Sequence, residues 1–377
     1  MMDKLKKPLP DQLEISVFGP GYGECILIHI GNGAWIAIDC CQDPITREPV
    51  PLQYLKNLGF DPQAAVKYII ASHWHEDHVR GLHNFLQAST NARFSCASVL
   101  TGEEFFALAE IYNDPTSAIS RNPKEIYNCL KTIEQRIKST KQPIISWASA
   151  DKVLCKTVSP YPVKLTSLSP SDAMDTRSKM FMFNYISAVK KGSTDPKMTA
   201  TTPNDVAVAI LFEINGREII LGSDLEEEKK SNPLFGWSAV LKGNTVNGTR
   251  SNVYKVAHHG SNTGHHHPIW TDILTDQPLA LLTPFQHGKH KIPNLEERNT
   301  ILALTNNAYI SADPNHKIKA PKRTHKVQAV INGAVKNLRL ANGKVGHIRW
   351  RASINDLSDV GSIELFDGAL RLCDVAP

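Results

Sequence analysis

Short apolar runs broken by turn residues dominate the chain, and they predict strands first. Residues 13–18 (LEISVF) and 25–30 (CILIHI) read as two strands separated by the turn-rich GPGYGE, and a third run, AWIAID, ends at Asp39. Gly31-Asn32-Gly33, between the second and third, has the residue types that accept the positive φ of a tight hairpin. LQYLKNLGF (52–60) spaces its apolar residues as a helix does and stops at Gly59. VKYIIAS (66–72) is a β-rich apolar run, hence a buried strand that delivers the chain to His73, and GLHNFLQAS (81–89) predicts the next helix.

From 102 to about 142 the text is helical, with GEEFFALAEIY and PKEIYNCLKTIEQRIKST as the two clearest segments. Strands return with VKLTSLS (163–169), and a polar, Met-rich stretch from 171 to 203 is expected to be a loop or lid. VAVAILFEI and REIILGSD, joined by Asn215-Gly216, form a second hairpin; NVYKVAHHG (252–260), LALLTPF (279–285) and AYISAD (308–313) each run from strand to loop. After Asp313 the composition changes. Between 314 and 355 there are ten Lys/Arg and no Asp or Glu, and HIRWRASI and SIELFDGALRL then read as strands. This predicts a main body over 10–315, with a helical insert at about 102–142, and a basic β-rich C-terminal extension over 316–377.

Composition narrows the class. With 41% hydrophobic and 21% charged residues in 377, the chain is ordinary for a globular α/β protein, and the net charge of +5 suits an anionic substrate without demanding one. Seven cysteines (25, 40, 41, 96, 129, 155 and 373) contain no CxxC pair and form an odd set, so neither a disulfide framework nor a zinc ribbon is expected. The opening MMDKLKKPLPDQLEI has basic residues with no apolar stretch behind them, and no run approaches the ~20 residues that span a bilayer. A cytoplasmic protein with no membrane partner is the expectation.

The chemistry concentrates in His73-Trp74-His75-Glu76-Asp77-His78. An extended dipeptide throws His73 and His75 to the same side, where two imidazoles can grip one cation. Asp77 and His78, entering the next helix, can reach a second. Two such cations, about 3.5–4 Å apart, can share a hydroxide and neutralise charge in a transition state. Mixed imidazole and carboxylate ligands without thiolate suit zinc, and also manganese or iron. A chance cluster of polar loop residues is the bland alternative, but three His and one Asp in six positions directly after an apolar strand argue against it.

HxHxDH followed by Gly81-Leu82 resembles the signature of the metallo-β-lactamase superfamily, whose fold is a four-layer αββα sandwich. GPGYGECILIH before IAIDC, then VKLTSLSP, PNDVAVAILFEINGREIILGSD and VYKVAHHGSNTG, are similar in order to landmarks of the hydrolase domain of the competence DNA-uptake protein ComEC; LLTPFQHGKHKIP follows that subgroup's closing loop more loosely. The resemblance covers roughly 13–313. It implies two divalent cations, zinc first and manganese as the alternative, held by His73, His75, Asp77, His78, Asp224 and His258. Asp224 would bridge both. Asp39 would orient a ligand, and Asn204 or Asp205 stands where many members supply a further histidine. The resemblance places the ligand at the first His of HHGS, leaving His259 to contact substrate or move a proton; the reverse assignment stays open. Ser261, Lys289 and His290 are further candidates around the substrate, with a His and a Lys able to hold a phosphate and protonate a leaving oxygen.

Expected catalytic residues are therefore Asp77, His259 and His290. The expected reaction is hydrolysis of a phosphodiester in DNA, RNA or a nucleotide. Two alternatives stay in view: a metallo-hydrolase of a lactam, thioester or lactone bond, and a partner-regulated subunit whose insert and extension bind protein or a second copy. Cys40 and Cys41 are expected to be core residues. The basic extension, with Trp350 as a stacking surface, is a candidate nucleic-acid contact and equally a solvated face or docking surface.

Overall fold

The computed structural model describes residues 6–19, 23–111, 122–141, 144–158, 161–190, 203–287, 290–315, 323–334 and 345–376. The first third of the chain lays down β1 (Gln12–Gly19), β2 (Cys25–His29), β3 (Trp35–Ile38), β4 (Val66–Ile70), β5 (Arg93–Ala97) and β6 (Ile145–Ala148). The middle supplies β7 (Lys152–Thr157), β8 (Val163–Ser167), β9 (Ile210–Ile214), β10 (Arg217–Leu221), β11 (Ser251–Lys255) and β12 (Leu274–Leu282). Then come the hairpin β13 (Phe285–His287) and β14 (His290–Ile292), β15 (Ala308–Ile310), β16 (Gly346–Ser353), β17 (Ser362–Phe366) and β18 (Leu370–Arg371).

Two eight-stranded sheets result, in the orders β17-β16-β1-β2-β3-β4-β5-β6 and β18-β15-β12-β11-β10-β9-β8-β7. Both are mixed. β3, β4, β5 and β6 run parallel in the first sheet, as do β10, β11, β12 and β15 in the second. Both expected hairpins form: Gly31, Asn32 and Gly33 all take positive φ between β2 and β3, and Asn215 and Gly216 do so between β9 and β10.

Period-two alternation buries both faces of the second sheet. Ile210, Phe212, Ile219 and Val253 enter the core shared with Ile15, Val17 and Leu27 of the first sheet, while Leu211, Ile220 and Tyr254 face a second core capped by Trp237 and Ile301. Helices at 50–57 and 82–88 bury Leu55, Phe85 and Leu86 against the first sheet. Those at 236–242 and 295–302 cover the second. The α/β sandwich that the resemblance implies is the fold observed, and no described helix is long and apolar enough to cross a membrane.

Two segments depart from the sequence reading. The stretch expected as a loop or lid from 171 is a 19-residue helix, Asp172–Lys190, that buries Met174, Ser178, Met182 and Ile186. Its apolar stripe recurs every four residues but is built from methionine and serine, so it reads as polar text. The segment set apart as an extension supplies strands to both sheets: β16 pairs with β1 along eight residues, β17 extends that edge, and β18 pairs with β15.

A buried polar node holds β16 in place. Glu14 on β1 accepts from Arg351 Nε at 2.7 Å, Tyr54 Oη at 2.7 Å and Ser16 Oγ at 2.6 Å. Arg351 in this node and Arg349, paired with Glu364 at 2.8 Å, are structural cations, and Trp350 is buried with Nε1 donating to Val360 O at 3.0 Å, not a stacking surface. The extension's other expected basic contacts at Lys317, Lys319, Lys322, Lys336, Arg339 and Lys344 lie outside the described residues.

Candidate metal centre

The C-terminal ends of parallel strands are where an open α/β sheet leaves room for a ligand, and the site grows from such ends. β3 leads directly into Asp39, β4 into Ser72-His73, β10 into Asp224 and β11 into His258-His259. Gly222, just before Asp224, is required by close approach: a Cβ there would lie 2.9 Å from Ala257 N. Asp77 and His78 sit on the short helix Glu76–Val79.

The ligand atoms of Asp77, His78, Asp224 and His259 lie within 4.8 Å of one another, as do those of His73, His75 and Asp224. His78 Nε2 is 3.3 Å from Asp224 Oδ1 and 3.7 Å from Asp77 Oδ2; His259 Nε2 is 3.2 Å from Asp77 Oδ2 and 3.5 Å from Asp224 Oδ2; His73 Nε2 is 3.8 Å from Asp224 Oδ2. Asp224 belongs to both groups.

These residues fit divalent cations by a structural criterion. His78 Nε2, His259 Nε2, Asp224 Oδ1 and Asn204 Oδ1 are buried without a hydrogen-bond partner. Orphaned buried polar atoms are costly, and those of His78, His259 and Asp224 converge where a cation would satisfy them together. The distal ring atoms are meanwhile held. Asp39 Oδ2 accepts from His78 Nδ1 at 2.7 Å and from Ser72 Oγ at 2.6 Å, and Ser72 Oγ lies 2.9 Å from His73 Nδ1. The expected orienting role of Asp39 has this geometry.

Protonation follows from burial and charge. Burial pushes the imidazole of His73 well below its ordinary value. Burial also opposes charge on His78 and His259, but Asp224 and Asp77 outweigh it, raising His78 well above the usual histidine range and His259 to about 9. The same imidazoles overcome burial at Asp77 and Asp224 and hold both carboxyls low.

Of the two histidines left open as the ligand, the structure brings His259, not His258, together with Asp77, His78 and Asp224. Both residues take left-handed φ (44° and 56°) in the turn closing β11, and this swings His259 inward and His258 to the mouth. His258 Nδ1 is 2.8 Å from Glu226 Oε1 and 3.0 Å from Ser261 Oγ, while its Nε2 is 3.5 Å from Asn204 Nδ2. Asp205 is drawn off by a bidentate pairing with Arg177 and is not among the convergent groups, whereas Asn204 is buried with its Nδ2 towards His258. His290 is exposed on the β13–β14 hairpin and not part of either group; Lys289 lies outside the described residues. Cys40 and Cys41 are buried, with thiols raised by burial, and are inert core residues.

The sequence reading missed Glu24, Lys255 and Thr283, a buried polar set behind His259. Lys255 Nζ is 2.7 Å from Glu24 Oε2, Thr283 Oγ1 donates to that same oxygen, and His259 Nδ1 is 3.1 Å from Thr283 Oγ1.

Residues 18–112 match the family model of the metallo-beta-lactamase superfamily. That segment holds the HxHxDH cluster and Asp39. No curated protein sequence matches the chain. Among solved structures, a subclass B3 metallo-β-lactamase from a soil metagenome library is 15% identical, with 68% of this chain and 80% of that one covered at a TM-score of 0.33. A motif mutant of a Cronobacter sakazakii metallo-β-lactamase is 14% identical over 68% and 79%, at 0.38. A dizinc quorum-quenching lactonase is 14% identical over 54% and 56%, at 0.30. The match to the family model is thus confined to residues 18–112, and the structure adds to that segment the groups of Asp224 and His259 that could complete metal sites.

Proposed function

We propose that this protein is a two-cation phosphodiesterase. The observation that carries the reading is Asp224, whose carboxylate is common to both ligand groups. A carboxylate shared by two cations suits an in-line phosphoryl displacement, in which attacking and leaving oxygens are clamped symmetrically. Zinc or manganese bound by His73, His75, Asp77, His78, Asp224 and His259 would supply Lewis acidity towards water and substrate oxygens. The resemblance to the competence-protein subgroup points the same way.

The chain's own groups supply the rest. Asp39 and Ser72 orient His78 and His73. Asn204, which the resemblance offers as a further ligand, has a buried, unpartnered Oδ1, and its Nδ2 lies 3.5 Å from His258 Nε2. His258 donates from Nδ1 to Glu226, so Nε2, which faces Asn204 Nδ2, is the acceptor atom at the mouth that can take up a proton and pass it to a leaving oxygen.

A second reading, hydrolysis of a lactam, thioester or lactone, is favoured by one feature. The cavity of about 550 Å³ lined by Asn204 sets the carboxylates of Asp205, Glu226, Glu227 and Glu228 against the cations of Arg177, Lys229 and Lys230, so its wall carries no net positive charge. Such a wall suits a small substrate better than a long polyanion. Purified protein with zinc or manganese, assayed against bis(4-nitrophenyl) phosphate, single-stranded DNA, a chromogenic lactam, a thioester and a lactone, separates the two. Phosphodiester cleavage that is abolished by Asp77→Ala is the expected result. Turnover confined to lactam, thioester or lactone would replace the proposal with the second reading.

A further inference from the structure

His73 and His259 each bring Nε2 near Asp224 Oδ2, at 3.8 and 3.5 Å, and on the far side of each ring the distal nitrogen is held by the same device. On the first side, His73 Nδ1 meets a hydroxyl, Ser72 Oγ, whose own proton goes to the buried carboxylate of Asp39. On the second, His259 Nδ1 meets Thr283 Oγ1, whose proton goes to the buried carboxylate of Glu24. We propose that Glu24, acting through Thr283, is the positioning group that fixes which nitrogen of His259 faces the second cation.

The argument follows the direction of each hydrogen bond. A hydroxyl has one proton. Glu24 Oε2 is an acceptor only, so the Thr283 proton is committed to it and Thr283 Oγ1 can only accept from the imidazole. The Thr283 carbonyl, 3.2 Å from His259 Nδ1, is likewise an acceptor. Nδ1 therefore keeps its hydrogen, and the lone pair of the cation-binding form is left on Nε2, the atom facing Asp77 and Asp224. Were Glu24 neutral, its hydrogen could point at Thr283, and Thr283 could turn its own towards Nδ1, leaving the wrong nitrogen free.

Lys255 is what keeps Glu24 charged. Both side chains are almost fully buried, with Nζ 2.7 Å from Oε2 and 2.9 Å from Val256 O. Glu24 is itself fixed to the ligand helix, since its backbone N–H donates to Asp77 O at 2.8 Å.

The proposal rests on the assignment of Asp77, His78, Asp224 and His259 to a second cation, but not on the substrate. Zinc stoichiometry and affinity, read by metal analysis after dialysis against a graded chelator, test it on wild type, Thr283→Val, Thr283→Ser and Glu24→Gln. Wild type is expected to hold two equivalents. Thr283→Val, close in volume, keeps the first and binds the second about 10–100-fold more weakly; Thr283→Ser restores it. Glu24→Gln gives an independent reading of the same selective loss, and side-chain nitrogen NMR of the zinc-loaded protein shows Nδ1 of His259 protonated in wild type. If wild type holds two cations and both variants hold the second as tightly, or lose both equally, the relay is overturned and the site stands. If wild type holds fewer than two, the two-cation assignment fails and the proposal falls with it.

Discussion

Replacing His259 with alanine removes an imidazole whose Nε2 lies 3.2 Å from Asp77 and 3.5 Å from Asp224, whereas His258→Ala removes one that faces Glu226 at 2.8 Å. The two neighbours should therefore fail differently. A four-ligand zinc site is worth roughly 10–16 kcal/mol at neutral pH, so one ligand in four carries about 2.5–4 kcal/mol, a weakening of roughly 10²- to 10³-fold. His259→Ala should lose its second equivalent at a chelator concentration that leaves wild type loaded, and keep the first on His73, His75 and Asp224. His258→Ala should keep both cations with wild-type affinity, and lose about 10²–10⁴-fold in kcat through the missing proton transfer. The assay is metal analysis across a chelator series, followed by kcat and KM on whichever substrate class proves active, with circular dichroism confirming that each variant folds. The reverse pattern, a cation lost from His258→Ala and two retained by His259→Ala, would refute the geometry on which the site is built.

Three further outcomes follow from the same contacts. In metal-free protein, His78 and His259 are raised in the folded state, so the stability they contribute is complete below the ordinary histidine value and lost as pH rises through about 9 for His259. That histidine alone corresponds to roughly 3 kcal/mol. The metal-free Tm should fall between about pH 7 and 10, and a flat profile would show that these imidazoles are not paired as described. Asp39→Asn keeps the volume and tolerates the left-handed φ of 61°, but loses acceptors for Ser72 and His78; zinc affinity should drop about 10–100-fold, and an unchanged affinity would remove Asp39 from the orienting role. Arg351→Met strands the buried Glu14 carboxylate and should cost about 3–5 kcal/mol in urea unfolding; a loss under about 1 kcal/mol would mean that β16 is held by its backbone pairing alone.

What could be seen in the sequence was what is local. Hairpins such as the one through Asn215-Gly216 depend on adjacent residues, and HWHEDH delivers four ligands within one strand end and one helical turn. Pairing between β1 and β16 depends on residues more than three hundred positions apart, and nothing in HIRWRASI says which edge it will join. The choice between His258 and His259 was hidden for a different reason. It turns on two consecutive left-handed residues that are histidines rather than glycines, so the usual mark of such a turn is missing.

Glu24 and Lys255 were hidden differently again, because a signal for them existed. Glu24 directly precedes the wholly buried CILIH, and Lys255 stands inside VYKVA with apolar neighbours on both sides. A charge in such a run is costly to bury unless another charge meets it. Asp39 after AWIAI and Asp224 after ILGS are charges of the same kind, and both reach the centre. Had every ionisable residue within or abutting a buried strand been treated as one half of a pair, Glu24 and Lys255 would have stood out as the unmatched carboxylate and cation. The metal ligands announce themselves by clustering, whereas the groups that aim them announce themselves by being charges where the surrounding residues allow none.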